Sequence, residues 1–242
     1  MSKNIELSIY SDKNIAETLL KIIHLAINND KTIDFNNLHV RTKTNFNRNF
    51  GLGTSSTLIS LIAQWTNANP YFLLENSFGG SGYDIACATS KNAILYQIQN
   101  ENRNIEHTHF SPPFQENIYF IYLENKQNSR EGIQYYKSIN QINKQNTIEQ
   151  LNDITNKIIK CNNIYEFNTL IEKHEQLISS QLHMSPIKAT LFSDFSGSIK
   201  SLGAWGGDFI MACSDKGAAY IQQYFKEKKY NNIISFNDMV LD

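Results

Sequence analysis

The chain has 242 residues, 41% hydrophobic and 19% charged, and its 22 Lys and Arg against 23 Asp and Glu give a formal net charge of -1. That is the composition of a globular protein with one large domain or two smaller ones. It offers no basic face to condense a phosphate backbone, which argues against nucleic acid as a partner.

Met1-Ser2-Lys3-Asn4-Ile5-Glu6 has neither the apolar region nor the small-residue site of a secretory signal, so a cytoplasmic chain is expected. Ile5 to Tyr10 alternates as a strand does. Ser11 or Asp12 then caps a helix with Ile15, Leu19, Ile22, Ile23 and Ala26 on one face. Phe35 to Thr44 alternates again, with Leu38, Val40 and Thr42 opposite His39, Arg41 and Lys43, predicting a half-exposed strand. Thr57 to Thr66 is apolar nearly all round and predicts a buried helix. Its run 58–63 falls far short of the roughly 18 apolar residues of a spanning helix, so no membrane span is expected.

A further helix should follow a second glycine cluster, and strands are predicted at 93–99 and 118–123. The polar stretch between them carries Pro112-Pro113, the best boundary signal, and divides the chain near 115 into domains 1–115 and 116–242. Helical patterns follow at 129–140, 146–160, 164–181 and 186–195, then strands at 198–202 and 208–213 and a helix at 215–228. The order is α+β, with strands flanking a helical block. Cys87, Cys161 and Cys213 stand singly, which suits neither a disulfide framework nor a zinc site and predicts small buried hydrophobes.

Three glycine clusters carry the chemistry. In Phe50-Gly51-Leu52-Gly53-Thr54-Ser55-Ser56-Thr57 two glycines precede a helix start, which makes either a phosphate cradle or a glycine turn with a Ser/Thr cap. It is not a Walker A loop, because no Lys precedes the hydroxyl residues. In Phe78-Gly79-Gly80-Ser81-Gly82-Tyr83-Asp84-Ile85-Ala86 the carboxylate of Asp84 is either a helix cap or a group that orients or deprotonates a substrate hydroxyl. Glu75, nine residues upstream, is a Mg²⁺ ligand or a surface charge. Lys200-Ser201-Leu202-Gly203-Ala204-Trp205-Gly206-Gly207-Asp208-Phe209 reads as a small-residue loop between strands, where a hairpin turn alone would account for Gly206-Gly207.

In this order the three clusters resemble the GHMP kinases, the family of galacto-, homoserine, mevalonate and phosphomevalonate kinases. Gly51-Leu52-Gly53-Thr54-Ser55-Ser56 is similar to the family's phosphate loop, Ser81-Gly82-Tyr83-Asp84 to its catalytic segment, and Gly203-Ala204-Trp205-Gly206-Gly207-Asp208 to its C-terminal loop. Gly82-Tyr83-Asp84-Ile85-Ala86 looks like the bacterial branch named for GYDIA, close to mevalonate and phosphomevalonate kinases. The resemblance implies a GHMP kinase-like fold: a shortened N-terminal part like the second domain of ribosomal protein S5, and a ferredoxin-like C-terminal part.

It also implies transfer of the γ-phosphoryl group of ATP, with Mg²⁺, to a small acceptor such as mevalonate or phosphomevalonate. Thr54, Ser55 and Ser56 would hold phosphates together with Gly51, Leu52 and Gly53. Ser55 and Glu75 would serve the metal, and Asp84 would be the base or hydroxyl orienter. Gly203, Ala204, Gly206 and Gly207 would close over the ligands, and Lys126, Ser129 and Arg130 stand where relatives place polar substrate contacts.

The family's K-x-x-L-x-G-E signature has no counterpart before Gly51, and Trp205 replaces a small residue. A sheet shortened in that way would leave an exposed edge, either covered by a homodimer or prone to aggregation. The alternative function is a nucleotide- or metabolite-binding remnant without turnover. His107 and His109 are read as surface histidines with a metal pair as the alternative. Tyr119, Phe120, Tyr122, Tyr135 and Tyr136 are read mostly as core, and His174, His183 and Lys226 to Lys229 as solvated helix faces.

Overall fold

A computed structural model describes residues 8–29, 38–47, 50–125, 129–139, 143–203, 205 and 207–240. The chain divides into two units, one of Met1–Asn45 with Leu52–His107, the other of Phe46–Gly51 with Thr108–Asp242.

The first unit is a helical cluster carrying a two-stranded ribbon. Helix α1 (Lys13–Asn29) starts where Asp12 Oδ1 accepts the Ile15 N–H at 3.0 Å, a side-chain cap on an otherwise unpaired donor. Of its apolar stripe, Ile22 and Ala26 are fully buried while Ile15 stays half exposed. Helix α2 (Thr54–Thr66) packs against α1, against α3 (Pro70–Glu75) and against α4 (Tyr83–Thr89). Ile22, Ile59, Ile62, Leu73 and Ile85 form the shared core. Asn69 caps α3 by accepting from the Tyr71 and Phe72 N–H groups, and Pro70 opens it where no N–H is needed. Strands β1 (Ala93–Gln99) and β2 (Asn102–Thr108) pair through a two-residue turn, Asn100 and Glu101, both at positive φ.

The second unit is built on a four-stranded antiparallel sheet in the order β4-β5-β3-β6: β3 (Ile118–Tyr122), β4 (Ser198–Ser201), β5 (Phe209–Cys213) and β6 (Ile233–Ser235). Ile121 stands opposite Ile210 and Phe120 opposite Met211. Alternation along β3 and β5 therefore supplies two apolar faces. Tyr119, Ile121, Ile199, Ile210 and Ala212 pack with Phe192, Phe195 and Phe225. Ile118 and Cys213 pack on the other side with Phe114, Phe167, Ile171 and Phe236. Helices α8 (Ile187–Leu191) and α9 (Gly217–Glu227) cover the first face. Helices α7 (Ile164–Leu182) and α10 (Phe236–Met239) cover the second, and α6 (Lys144–Lys160) packs on α7; α5 (Ser129–Ser138) precedes them in the chain. Phe167, Phe192 and Phe225 are fully buried, each contributing about 1.5–3 kcal/mol of apolar burial.

The fold is mixed α and β, as expected, with several local corrections. Residues 38–44 form no strand: Leu38 and Val40 are more than half exposed, and the alternation pairs with no described strand that would bury it. Residues 8–10 are likewise not a strand, while Ile5 to Leu7 and Phe35 to Asn37 lie outside the described residues. The polar stretch after 99 holds a strand, β2, which shows no alternation because most of both its faces are exposed. The helix expected at 186–195 ends at Leu191, and Phe192 and Phe195 turn into the core. Cys161 and Cys213 are buried, but Cys87 is exposed.

Candidate functional site

Gly51 and Gly53 both take φ +69°, a left-handed conformation that glycine adopts without steric cost. Gly51 lies against the Asp208 carboxylate within the second unit, where a Cβ would fall 2.5 Å from Cγ. Among the described residues, its chain neighbours aside, nothing stands within 4 Å of a Cβ placed on Gly53, which leaves open space beside the α2 start. Gly53 itself is the N-cap and no side chain caps the helix, so the Ser/Thr-capped turn is not what forms. Thr54, Ser55 and Ser56 instead occupy the first turn, Ser55 exposed and Ser56 buried, where N–H groups and the positive end of the dipole suit an anion.

The second cluster makes its turn with Gly79, Gly80 and Gly82, all at positive φ, and the Gly79 N–H closes onto Leu74 C=O at 2.7 Å. Gly82 is the N-cap of α4, again without a side-chain cap, so Asp84 is not a capping residue. It stands exposed in the first turn of a helix packed on α2. Thr54 to Ser56 and Asp84 thus lie at the starts of two neighbouring helices in one unit.

A set of residues that no local pattern marks supports this second loop. Ser81 C=O accepts from Tyr96 Oη at 2.5 Å and from Arg103 Nε at 3.2 Å. Arg103 Nη2 donates to Glu75 Oε1 at 2.5 Å, and its guanidinium carbon sits 4.6 Å from the Tyr71 ring centroid. Glu75, the expected metal carboxylate, is half exposed and engaged by Arg103. The hydrogen bonds among these residues span 15 to 28 positions, beyond the reach of any motif.

The third cluster closes the β4–β5 hairpin, with the Leu202 N–H on Phe209 C=O at 3.0 Å and Gly203 at φ +68°. Gly207 is buried, and Ala204 and Gly206 lie outside the described residues. The Trp205 indole N–H reaches Glu175 Oε1 at 3.5 Å. Glu175, 3% exposed on α7, also accepts the Ser201 N–H at 3.1 Å and faces Lys200 Nζ at 3.7 Å and His174 Nδ1 at 3.5 Å. Burial works to raise the Glu175 pKa, but the His174 contact, the Lys200 charge and the Ser201 N–H together hold it below the usual range. Burial pushes the Lys200 ammonium the other way, below its ordinary value, against the pull of Glu175. His174, expected on a solvated face, is therefore largely buried beside a carboxylate.

Lys126 lies outside the described residues, as do the side chains of Ser129 and Arg130. His107 sits 3.3 Å from Ser90 Oγ, and among the described residues no three His, Cys, Asp or Glu side chains gather as a metal cage. Tyr119 and Tyr122 are core, whereas Tyr135 and Tyr136 are exposed. No described helix is long and apolar enough to cross a membrane.

The crystal structure of the Methanococcus jannaschii mevalonate kinase matches the chain with a TM-score of 0.56 over 88% of this chain and 72% of that one. The fold is similar to that of a mevalonate kinase. At 18% identity the likeness to mevalonate kinase is one of fold. No protein-family model matches the chain, and no curated sequence does.

Proposed function

We propose that the chain is a GHMP-type phosphotransferase, moving the γ-phosphoryl group of ATP to a hydroxyl or phosphate of a small acceptor of the mevalonate or phosphomevalonate kind. The observation that carries this is the open, uncapped start of α2 behind Gly53, with the exposed Asp84 carboxylate at the start of the helix packed beside it. A nucleotide phosphate fits there, because Thr54 to Ser56 present N–H groups and hydroxyls and nothing in the described residues fills the space in front of Gly53.

With Mg²⁺ bound, ATP supplies the phosphoryl group and the metal neutralises its charge. Ser55 would place its hydroxyl on the metal side, since Mg²⁺ keeps waters and needs few protein ligands. Asp84 accepts or directs the proton of the acceptor hydroxyl as the acceptor oxygen bonds to phosphorus and the bond to the leaving ADP oxygen breaks. The fold likeness to a mevalonate kinase supports this reading of the acceptor class. A cytoplasmic location, a homodimer, and the division into an S5-like and a ferredoxin-like part belong to the same proposal.

The test is ³¹P NMR of the chain with Mg-ATP and, in turn, mevalonate, phosphomevalonate, homoserine and galactose, beside Asp84→Asn. The expected result is one new phosphorylated product, lost in Asp84→Asn. ATP that binds and stays intact with every acceptor would replace the kinase by a nucleotide-binding remnant.

A further inference from the structure

We infer that Arg103 and Glu75 are paired positioning residues for the second glycine loop, and that Glu75 serves Arg103 and not a metal ion. What Asp84 does in this scheme rests on the phosphotransferase reading, while the contacts themselves lie wholly within the first unit.

The loop has few bonds of its own. Gly80 and Gly82, at φ +110° and +86°, carry no side chains to pack, and the seven-residue helix they start has a glycine N-cap, with the Ser81 hydroxyl accepting the Tyr83 N–H at 3.3 Å. Its fixed point is the Ser81 carbonyl, which two donors from the β1–β2 ribbon grip at once, Tyr96 Oη and Arg103 Nε. Arg103 then uses Nη2 on Glu75, at the end of α3, while its flat face rests on Tyr71 of the same helix. A Cβ on Gly82 would fall 2.9 Å from the Tyr71 ring and 3.0 Å from Arg103 Nε, so the loop is pressed against this pair two residues before Asp84.

Only a guanidinium can do this. Its Nε and Nη2 point from one rigid plane to two different acceptors, and the same plane stacks on an aromatic ring, whereas an ammonium is a point charge on a flexible stem. A dication on the Glu75 carboxylate would meet the Arg103 charge already bound there. Glu75 is half exposed and Arg103 about a quarter, so the ion pair lies at the surface and contributes little to global stability, and its loss should leave a folded protein with a loosened loop.

The experiment is hydrogen–deuterium exchange over residues 79–87 of the full chain, with steady-state kinetics, for Arg103→Gln, Arg103→Lys, Glu75→Gln and the Arg103→Gln/Glu75→Gln double variant. Each single variant, Arg103→Lys included, should speed exchange in that segment about fivefold, and the double variant no more than either single one. The kcat should fall about tenfold with unchanged KM for ATP and unchanged Mg²⁺ requirement. Unchanged exchange at 79–87 would overturn the inference. So would a raised Mg²⁺ requirement in Glu75→Gln that Arg103→Gln does not share. Should the wild-type chain itself transfer no phosphate, the kinase reading fails, and the exchange result still decides the positioning on its own.

Discussion

Gly53 and Gly82 hold nearly the same left-handed backbone for different reasons, and alanine separates them. At Gly53 a methyl group meets no described residue beyond its chain neighbours, so Gly53→Ala should cost only the strain of a positive φ, about 1–2 kcal/mol. At Gly82 the same strain is joined by overlap with Tyr71 and Arg103, and the cost should reach about 2–4 kcal/mol. Urea denaturation of both variants tests the order, and equal losses would mean that the Tyr71–Arg103 wall gives way freely. Asp84, Ser55 and the glycines were legible as candidates because each lies within a few residues of the others in its cluster. Arg103, Tyr96 and Tyr71 were not, because their chemistry depends on tertiary neighbours and each sits in an unremarkable local string.

Legibility among elements follows burial. The helices α6, α7 and α9 and the strands β3 to β5 match their patterns closely because one or both faces are buried, which imposes a period on the sequence. The ribbon strand β2 has no such face, and the alternating segment 38–44 joins no described sheet, so pattern and structure part in opposite senses.

At this scale Glu175 is the joint between α7, the end of β4 and Trp205. Replacing it by Gln leaves Lys200, which is only a quarter exposed, without its counter-charge, and Glu175→Gln should cost about 2–3 kcal/mol near neutral pH. The carboxylate titrates below its unfolded value, so its stabilisation is present above the ordinary Glu pKa of about 4.3 and is lost as pH falls through the lower folded value. Melting curves from pH 7 down to pH 3 should therefore show the wild type losing its advantage over Glu175→Gln at the acidic end. A stability gap that does not change with pH would show that the role of Glu175 is packing alone.

For the molecule as a whole, the chain passes between the two units after Asn45, after Gly51 and after His107, and the second of these points lies inside the first glycine cluster. Residues 46–51 belong with a sheet whose first strand begins at Ile118, and Phe50 is one side chain that attaches them. Its ring lies 4.7 Å from Tyr122 and 5.8 Å from Phe209, which are themselves 5.3 Å apart, a three-ring cluster on β3 and β5. Phe50 is part-buried, so Phe50→Ala should cost about 1–2 kcal/mol, less than the loss of a fully buried ring. The loss should fall on one unit. Hydrogen exchange in β3 and β5 should accelerate while α1 and α4 keep their protection, because Tyr122 and Phe209, the rings against Phe50, lie in the second unit. Equal acceleration in α1 and α4 would mean that the two units open together and that residues 46–51 hold both. Exchange confined to β3 and β5 would mean that the start of the first glycine cluster is fixed by the second unit's aromatic cluster, while the helix behind it is fixed by the first unit's core.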